Sequence, residues 1–289
     1  MSEDPTAALG REPIVIAAFE GWNDAGSAAT AALHHLHEVW DAEIVDSLDP
    51  EEYHDFQVNR PVVAYDPEIG ARQISWPTTH FAVATTPILG RHVVLVHGIE
   101  PSLRWRRYCR EVLDTSASLG GSVLVTLGAL LADVPHSRPI PVTRSSESAD
   151  VREALGVVES TYEGPTGIVG VLQHTALERD VPGISLWAAV PHYVAQPPSP
   201  KATLAILGQL EDLIGEPIPL GELPEEAEAW RRGVDELAEE DPEIAEYVAQ
   251  LEEAKDTVEL PEASGEAIAQ EFERYLRRRE KGDRGPAGS

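Results

Sequence analysis

Short apolar runs alternate with amphipathic segments along the first two thirds of the chain. Runs at 14–19, 93–97, 123–127 and 184–188 have the length and composition of buried strands. Apolar residues recur every three or four positions in the segments between and after these runs, as on one face of a helix. Those helical segments are 29–40, 105–113, 168–177 and 200–214. Strands that alternate with helices predict an α/β fold with a mostly parallel sheet covered on both faces.

The region between 61 and 85 follows a different pattern. Strand-like stretches at 62–65, 73–76 and 81–85 are separated by Asp66-Pro67 and by Pro77. Such spacing predicts antiparallel hairpins, so we expect the sheet to be mixed.

The last part of the chain is acidic and helical. Between 211 and 262 there are 19 acidic residues against three basic ones. Apolar residues at Leu223, Ala227, Trp230, Val234 and Leu237, and again over 244–251 and 268–276, predict three helices that must pack on other structure. We therefore divide the chain into an α/β domain (1–216), an acidic helical subdomain (217–280) and a disordered basic tail (281–289).

Charge and composition exclude several classes of function. The formal net charge of −28 repels phosphate backbones and anionic lipid surfaces, so we expect no nucleic-acid partner and no membrane partner. No apolar run reaches the roughly 18 residues that a spanning helix needs. The single cysteine, Cys109, allows no internal disulfide, and the N-terminal residues lack the features of a secretory signal. These features predict a cytoplasmic protein.

The turn between the first strand and the first helix is the first candidate ligand site. It contains Gly21, Trp22, Asn23, Asp24 and Gly26, at the strand end where α/β proteins bind ligands. The free backbone N–H groups of the following helix favour an anion there. The alternative is that Asp24 or Ser27 simply caps this helix. The turn fits neither a P-loop nor a dinucleotide fingerprint, so we expect no cofactor.

The ten histidines do not form a metal-binding pattern, because no two of them have acidic residues at a recognised ligand spacing. We therefore predict no metal site. His97, His136 and His192 follow strands or precede turns, and we expect them to bond to local backbone.

Signals for nucleophilic catalysis are weak. No G-x-S-x-G motif occurs, and Cys109 lies on the apolar face of its predicted helix. The glycine-rich segment 164–170 either opens a helix that holds an anion or forms a tight turn. Four arginines share one helix: Arg104, Arg106, Arg107 and Arg110. They form a solvated helix face, bind an anionic ligand, or contact the acidic C-terminal helices.

Five segments taken in order resemble the PAC2 (proteasome assembly chaperone 2) family, most closely its actinobacterial members. They are FEGWNDAG at 19–26, GIEP at 98–101 leading into Trp105, LGALLADVPHSRP at 127–139, YEGPTGI at 162–168, and SLWA with VPHY and PSPKA between 185 and 202.

The resemblance implies a three-layer, phosphorylase/hydrolase-like α/β fold with a mixed sheet that often self-associates. Relatives in archaea and eukaryotes act as chaperones in assembly of the proteasome outer ring. They dock through a C-terminal hydrophobic-Tyr-any tripeptide, which the sequence at 286–289 lacks.

Two functional hypotheses follow. The first is a non-enzymatic, homo-oligomeric assembly or interaction protein that presents its acidic helices to a protein partner. The second is a small-molecule enzyme or binder that uses the carboxyl ends of the strands. In that case Asp24, Glu100 and His136 would serve as catalytic or orienting groups, and Arg138 would bind an anion.

Overall fold

A seven-stranded sheet and a separate two-stranded hairpin make up the β-structure of the computed structural model, which describes residues 12–67 and 69–257. The strands are β1 (Ile14–Glu20), β2 (Glu43–Ser47), β3 (Val62–Asp66), β4 (Ala71–Ser75), β5 (Thr79–Thr85), β6 (His92–Ile99), β7 (Val123–Ala132), β8 (Val142–Ser145) and β9 (Gly183–Pro191). The sheet order is β2-β5-β6-β1-β7-β9-β8, and β3 pairs only with β4.

The large sheet is mixed, as predicted. Its four central strands β6, β1, β7 and β9 run parallel. Strands β5 and β2 at one end, and β8 at the other, are antiparallel to their neighbours.

Helices cover both faces of the sheet. They are α1 (Ala28–Val39) and α6 (Pro200–Ile214) on one face, and α3 (Trp105–Ser118) and α5 (Ile168–Glu178) on the other. Strand β1 alternates between the two layers because successive side chains of a strand point to opposite faces. Ile14 and Ile16 pack in the core beneath α1 and α6, whereas Val15 and Phe19 pack with α3 and α5. The predicted three-layer α/β fold is confirmed.

The hairpin formed by β3 and β4 confirms the antiparallel prediction for 62–76, but it stands apart from the sheet. All residues of these two strands are exposed except the half-buried Asp66. The sequence pattern did not distinguish a hairpin within the sheet from one outside it.

Four shorter elements have no counterpart in the predicted pattern. They are β2, β8, α2 (Pro50–Tyr53) and α4 (Ala149–Leu155). Strand β2 is exposed along its whole length and β8 is only half-buried, so neither carries a continuous apolar run. Strands that lack a fully buried face carry neither a continuous apolar run nor a clear alternation of apolar and polar residues.

The acidic C-terminal segment forms α7 (Leu223–Glu240) and α8 (Pro242–Thr257), as predicted. Helix α7 packs on α6, and α8 packs on α7. Ala227 and Val234 face inward as expected, but Leu237 is 52% exposed and Ala238 is buried instead. The predicted third helix over 268–276 and the tail after 280 lie outside the described residues, and the domain division stays a prediction. None of the helices described has the length and apolarity to cross a membrane.

Candidate functional site

The turn from Gly21 to Gly26 lies at the carboxyl end of β1, as the sequence indicates. The Asp24 backbone N–H donates to the Gly21 carbonyl at 3.2 Å, and Ala129 N–H donates to the Asn23 carbonyl at 2.8 Å. Gly26 has a φ of +61°, and a Cβ there would lie 2.7 Å from the Cβ of Ser199. Only glycine therefore allows the turn to pack against the start of α6.

Asp24 occupies the N-terminus of α1. Its Oδ1 accepts the backbone N–H groups of Ala29 (2.8 Å) and Thr30 (3.2 Å), and its Oδ2 accepts the Thr30 hydroxyl. Burial raises the pKa of the Asp24 carboxyl even though these donors favour the ionised form. The anion position at this helix end is thus filled by the protein's own carboxylate.

Glu100 fills the N-terminus of α5 in the same way. Its Oε1 accepts the Ile168 backbone N–H at 2.8 Å and the Asn23 side-chain amide at 3.0 Å. Burial is the largest cause that raises the pKa of the Glu100 carboxyl. The glycine-rich segment 164–170 therefore does open a helix, and the anion that it holds is Glu100.

His136 is buried under α7 and bonds to side chains. Its backbone N–H donates to the Tyr193 hydroxyl at 2.7 Å, and Nδ1 lies 2.7 Å from the same oxygen. The hydroxyl that accepts the N–H can donate to Nδ1, which leaves Nε2–H to donate to Asp235 Oδ1 at 2.9 Å. Burial raises the pKa of Tyr193 to about 12. The expectation that the His136 ring bonds to local backbone is wrong.

Arg138 is held by α8. Its Nη1 lies 3.5 Å from Glu252 Oε1, and Ser137 donates its hydroxyl to the same carboxylate. Lys201 Nζ donates to the backbone carbonyls of His136 and Arg138, so the segment after β7 is fixed from two sides.

The candidate residues therefore fall into two groups. Asn23, Asp24 and Glu100 surround the turn after β1, whereas His136 and Arg138 bond to α7 and α8. Each catalytic candidate already has hydrogen-bond partners within the chain. Their assignment as catalytic residues stays a prediction.

Four histidines pack together beside α1. The His97 ring contacts His34, His80 and His37, with centroid separations of 5.3, 5.3 and 5.9 Å. Burial, followed by the neighbouring imidazoles, lowers the pKa of His97 to about 4. Across the part of the chain that the structure describes, no group of three or more His, Cys, Asp or Glu residues is arranged to hold a metal ion.

The arginines of α3 meet other partners than the acidic helices. Arg104 and Arg107 both pair with Glu52 of α2, and Arg107 Nε lies 3.8 Å from Glu111. Arg106 and Arg110 line a groove between α3 and α5 together with Arg179. Ion pairs this exposed contribute little to stability.

A cavity of about 370 Å³ lies between α5, β9 and the segment 145–166. Of the candidate residues from the sequence, Trp22 and Asn23 line it, together with aromatic, hydroxyl and amide side chains. Its lining includes Trp22, Trp187, Tyr162, Ser145, Ser160, Thr166, Gln173 and Ser185. The motifs at 162–168 and 185–188 belong to this cavity, although their spacing indicated none.

Apolar side chains are exposed along the segment 56–76, which we call the arm. Seven of the fifteen exposed large hydrophobic residues of the described chain lie in it: Val58, Val62, Val63, Tyr65, Ile69, Ile74 and Trp76. Trp76 packs against Phe56 at the base, with ring centroids 5.0 Å apart. At the tip, Gly70 N–H donates to the Asp66 carbonyl at 2.9 Å.

Comparison with known proteins identifies the family. The PAC2 family model matches residues 18–238 and so includes most of α7. No curated protein matches the chain significantly. A PAC2 family protein from Streptomyces avermitilis is 55% identical, with a TM-score of 0.78, over 82% of this chain and 100% of that one.

Two further solved structures extend the comparison. A proteasome-assembly chaperone homologue from Mycobacterium tuberculosis is 47% identical, with a TM-score of 0.74, over 81% of this chain and 99% of that one. An archaeal homolog of proteasome-assembly chaperone from Pyrococcus furiosus shares the fold, with 17% identity and a TM-score of 0.56 over 84% and 95% of the two chains. The matched family model and these identities show that the chain belongs to the PAC2 family.

Proposed function

We propose that this protein is a non-enzymatic, homo-oligomeric, chaperone-like protein of the cytoplasm that associates through its arm and assists the assembly of other proteins. The observation that carries the proposal is the concentration of exposed apolar side chains on the arm. Contiguous apolar surface of this kind marks interaction sites.

The arm is only weakly stabilised by pairing within its own hairpin. A two-stranded hairpin is at best marginally stable in water, and among the described strands β3 pairs with β4 alone. Covering its apolar face would remove that surface from water at about 25 cal/mol per Å². A partner that covers the arm therefore also stabilises it.

The register of the hairpin places three of its exposed apolar residues on one face. Val63 lies opposite Ile74, and Tyr65 lies opposite Arg72. Residues two apart on a strand share a face, so Val63, Tyr65 and Ile74 form one patch. Their exposed fractions are 57%, 64% and 56%.

The charge of the arm favours a second copy of the chain as its partner. The segment 56–76 carries Arg60 and Arg72 against Asp66 and Glu68, which gives no net charge in a chain of −28. Two copies that meet elsewhere would bring like charges together, at a cost that a neutral surface avoids.

The chaperone-like part of the proposal is supported by the relatives. The Mycobacterium tuberculosis protein, 47% identical, is a proteasome-assembly chaperone homologue. The absence of enzymatic activity is supported by the bonding of Asp24, Glu100 and His136, whose side chains serve helix termini and the contact with α7.

Sedimentation of a matched pair of variants tests the oligomer. Ile74 and Val158 are 56% and 55% exposed, and only Ile74 lies on the arm. We expect the wild type and Val158→Arg to sediment as the same oligomer, and Ile74→Arg to sediment as a monomer at about 10 μM. Equal masses for the two variants would contradict association through the arm.

Reconstitution tests the chaperone-like role separately. Proteasome α and β subunits, purified apart, would be mixed with and without the protein, and the yield of assembled particles followed by native mass spectrometry. We expect the wild type to raise the rate of assembly, whereas an unchanged rate would contradict this role and leave self-association intact.

A further inference from the structure

We propose that the cavity between α5, β9 and segment 145–166 binds a small, uncharged molecule that combines a flat ring with hydroxyl or amide groups. Its volume of about 370 Å³ lies in the range of roughly 300–1,000 Å³ typical of ligand pockets. This site is separate from the arm, because none of the described residues that line it belongs to the segment 56–76.

The lining of the cavity selects for rings and hydroxyl groups. Two indoles, Trp22 and Trp187, supply flat apolar surfaces against which a ring can pack. Ser145, Ser160 and Ser185 supply hydroxyl groups, each of which can both donate and accept a hydrogen bond. A purely apolar ligand would leave part of the hydrogen-bonding capacity of these hydroxyls unused when it excludes water.

The charged residues that line the cavity itself disfavour an anion there. None of the described residues that line it is Lys or Arg. Its ionisable lining residues are Tyr162, whose hydroxyl bonds to the Pro165 carbonyl, and Glu147 and His174, whose side chains are 3.5 Å apart. An anionic group would lose its hydration without gaining a counter-charge, and it would approach the Glu147 carboxylate.

The inner wall is held rigidly by the protein. Gln173 Nε2 donates to Thr126 Oγ1 and to the Ile184 carbonyl, both at 2.9 Å. Ser185 Oγ lies 3.0 Å from the same Thr126 oxygen, so one buried network orients both lining side chains. A wall that is already ordered loses little conformational entropy when a ligand binds.

The aromatic side chains are also fixed. Gly128 leaves room for the Trp187 ring, which would lie 2.7 Å from a Cβ at that position. Tyr162 donates its hydroxyl to the Pro165 carbonyl at 2.6 Å, which closes the outer loop on itself. The cavity therefore has a defined shape.

Ligand-observed NMR and calorimetry with chosen probes test the class of ligand. The uncharged ring probes are adenosine, uridine and nicotinamide; AMP adds a phosphate, and ribose lacks the ring. We expect at least one uncharged ring probe to bind with a dissociation constant below about 1 mM. We expect AMP to bind at least about tenfold more weakly than adenosine, and ribose not to bind.

Two neighbouring substitutions locate the binding. Ser160 and Thr161 are both exposed, and only Ser160 lines the cavity. Ser160→Phe should weaken binding at least about tenfold, whereas Thr161→Phe should keep it within about twofold, with both variants folded by circular dichroism.

Three outcomes would overturn the proposal. They are a dissociation constant above about 1 mM for every uncharged ring probe, binding of AMP or ribose within about tenfold of that of adenosine, and equal binding by the two phenylalanine variants.

Discussion

The turn after β1 buries polar side chains, whereas the arm exposes apolar ones. At the turn, Asp24 and Asn23 are buried, and each bonds to groups of the chain itself. On the arm, Val63, Tyr65 and Ile74 are exposed, at 57%, 64% and 56%. The turn closes the fold, whereas the arm leaves apolar surface that a partner can cover.

The turn shows that polar residues at the end of a strand can resemble an active site even when their hydrogen-bonding groups are already paired within the chain. Helices α1 and α5 both begin at the carboxyl edge of the sheet, where open N–H groups attract an anion. In this chain Asp24 and Glu100 are those anions. A site for an external anion at either helix would require one of these carboxylates to move away.

The largest effect on stability is expected at Asp24. Asp24→Ala leaves the N–H groups of Ala29 and Thr30 buried without an acceptor, so the free energy of unfolding should fall by about 2–4 kcal/mol. Urea unfolding measures the change, and Asp24→Asn, which keeps one acceptor oxygen, should lose less. Unchanged stability, or a changed oligomer mass, would contradict a purely structural role for Asp24.

Replacing Glu100 should lower the free energy of unfolding somewhat less than replacing Asp24 does. The size of this loss should also depend on pH. Glu100→Ala removes the acceptor of Ile168 N–H and of the Asn23 amide, and should cost about 2–3 kcal/mol. Glu100→Gln keeps an acceptor and should cost less.

The pH dependence of the Glu100 variants has a defined sign. Because burial raises the pKa of Glu100 above 4.5, its contribution to stability is fullest below pH 4.5 and declines as the pH rises through the raised value. Glutamine does not ionise and shows no such decline. The free energy of unfolding of Glu100→Gln should therefore rise relative to that of the wild type between pH 4 and pH 7. A constant difference in unfolding free energy across this range would contradict the raised pKa.

Most of the layered fold could be predicted from the sequence, because buried strands and amphipathic helices leave a clear hydrophobic pattern. The run at 14–19 became β1, and the helical face at 105–113 became α3. The exposed strand β2 was not predicted, since Glu43–Ser47 has no buried face to impose a pattern.

The site was harder to predict than the fold. The sequence grouped Asp24, Glu100 and His136 as one candidate site, but the hydrogen bonds of each depend on residues far apart in the chain, such as Glu100 and Ile168. Strand-like stretches at 62–65 and 73–76, separated by Asp66-Pro67, predicted a hairpin. Its exposure on both faces depends on where the surrounding elements pack. The cavity is lined by residues from five separate segments, so no short stretch of the sequence predicts it.

The histidine cluster should have a third, smaller effect on folding stability, which depends on pH. The folded protein keeps His97 neutral down to about pH 4, whereas the unfolded chain binds a proton near pH 6.5. Stability from this group is therefore present above pH 6.5 and is lost as the pH falls toward 4. Since the ring is partly exposed, we expect a loss of about 1 kcal/mol between pH 7 and pH 5.

Replacing His97 checks this assignment. In His97→Gln, thermal unfolding should depend less steeply on pH over the same interval than in the wild type. Identical slopes for the two proteins would contradict it, whatever their absolute stabilities.

The smallest effect is expected where α8 contacts the segment after β7. Glu252→Gln weakens the pairing with Arg138 at 3.5 Å, with both side chains about one-third exposed, and should cost about 0.5 kcal/mol or less. Glu239→Gln on the exposed side of α7 is the control and should cost nothing measurable. A loss above about 2 kcal/mol in urea unfolding would show that this contact is much stronger than its geometry indicates.

The central claim, that the arm is covered by a second copy in solution, is tested most directly by hydrogen–deuterium exchange at several protein concentrations. We predict that amides of β3 and β4 are protected at about 100 μM and lose protection on dilution to about 1 μM, while amides of β1 and β7 stay protected throughout. Fast exchange of the arm at every concentration, in a chain that sediments as an oligomer, would contradict the claim.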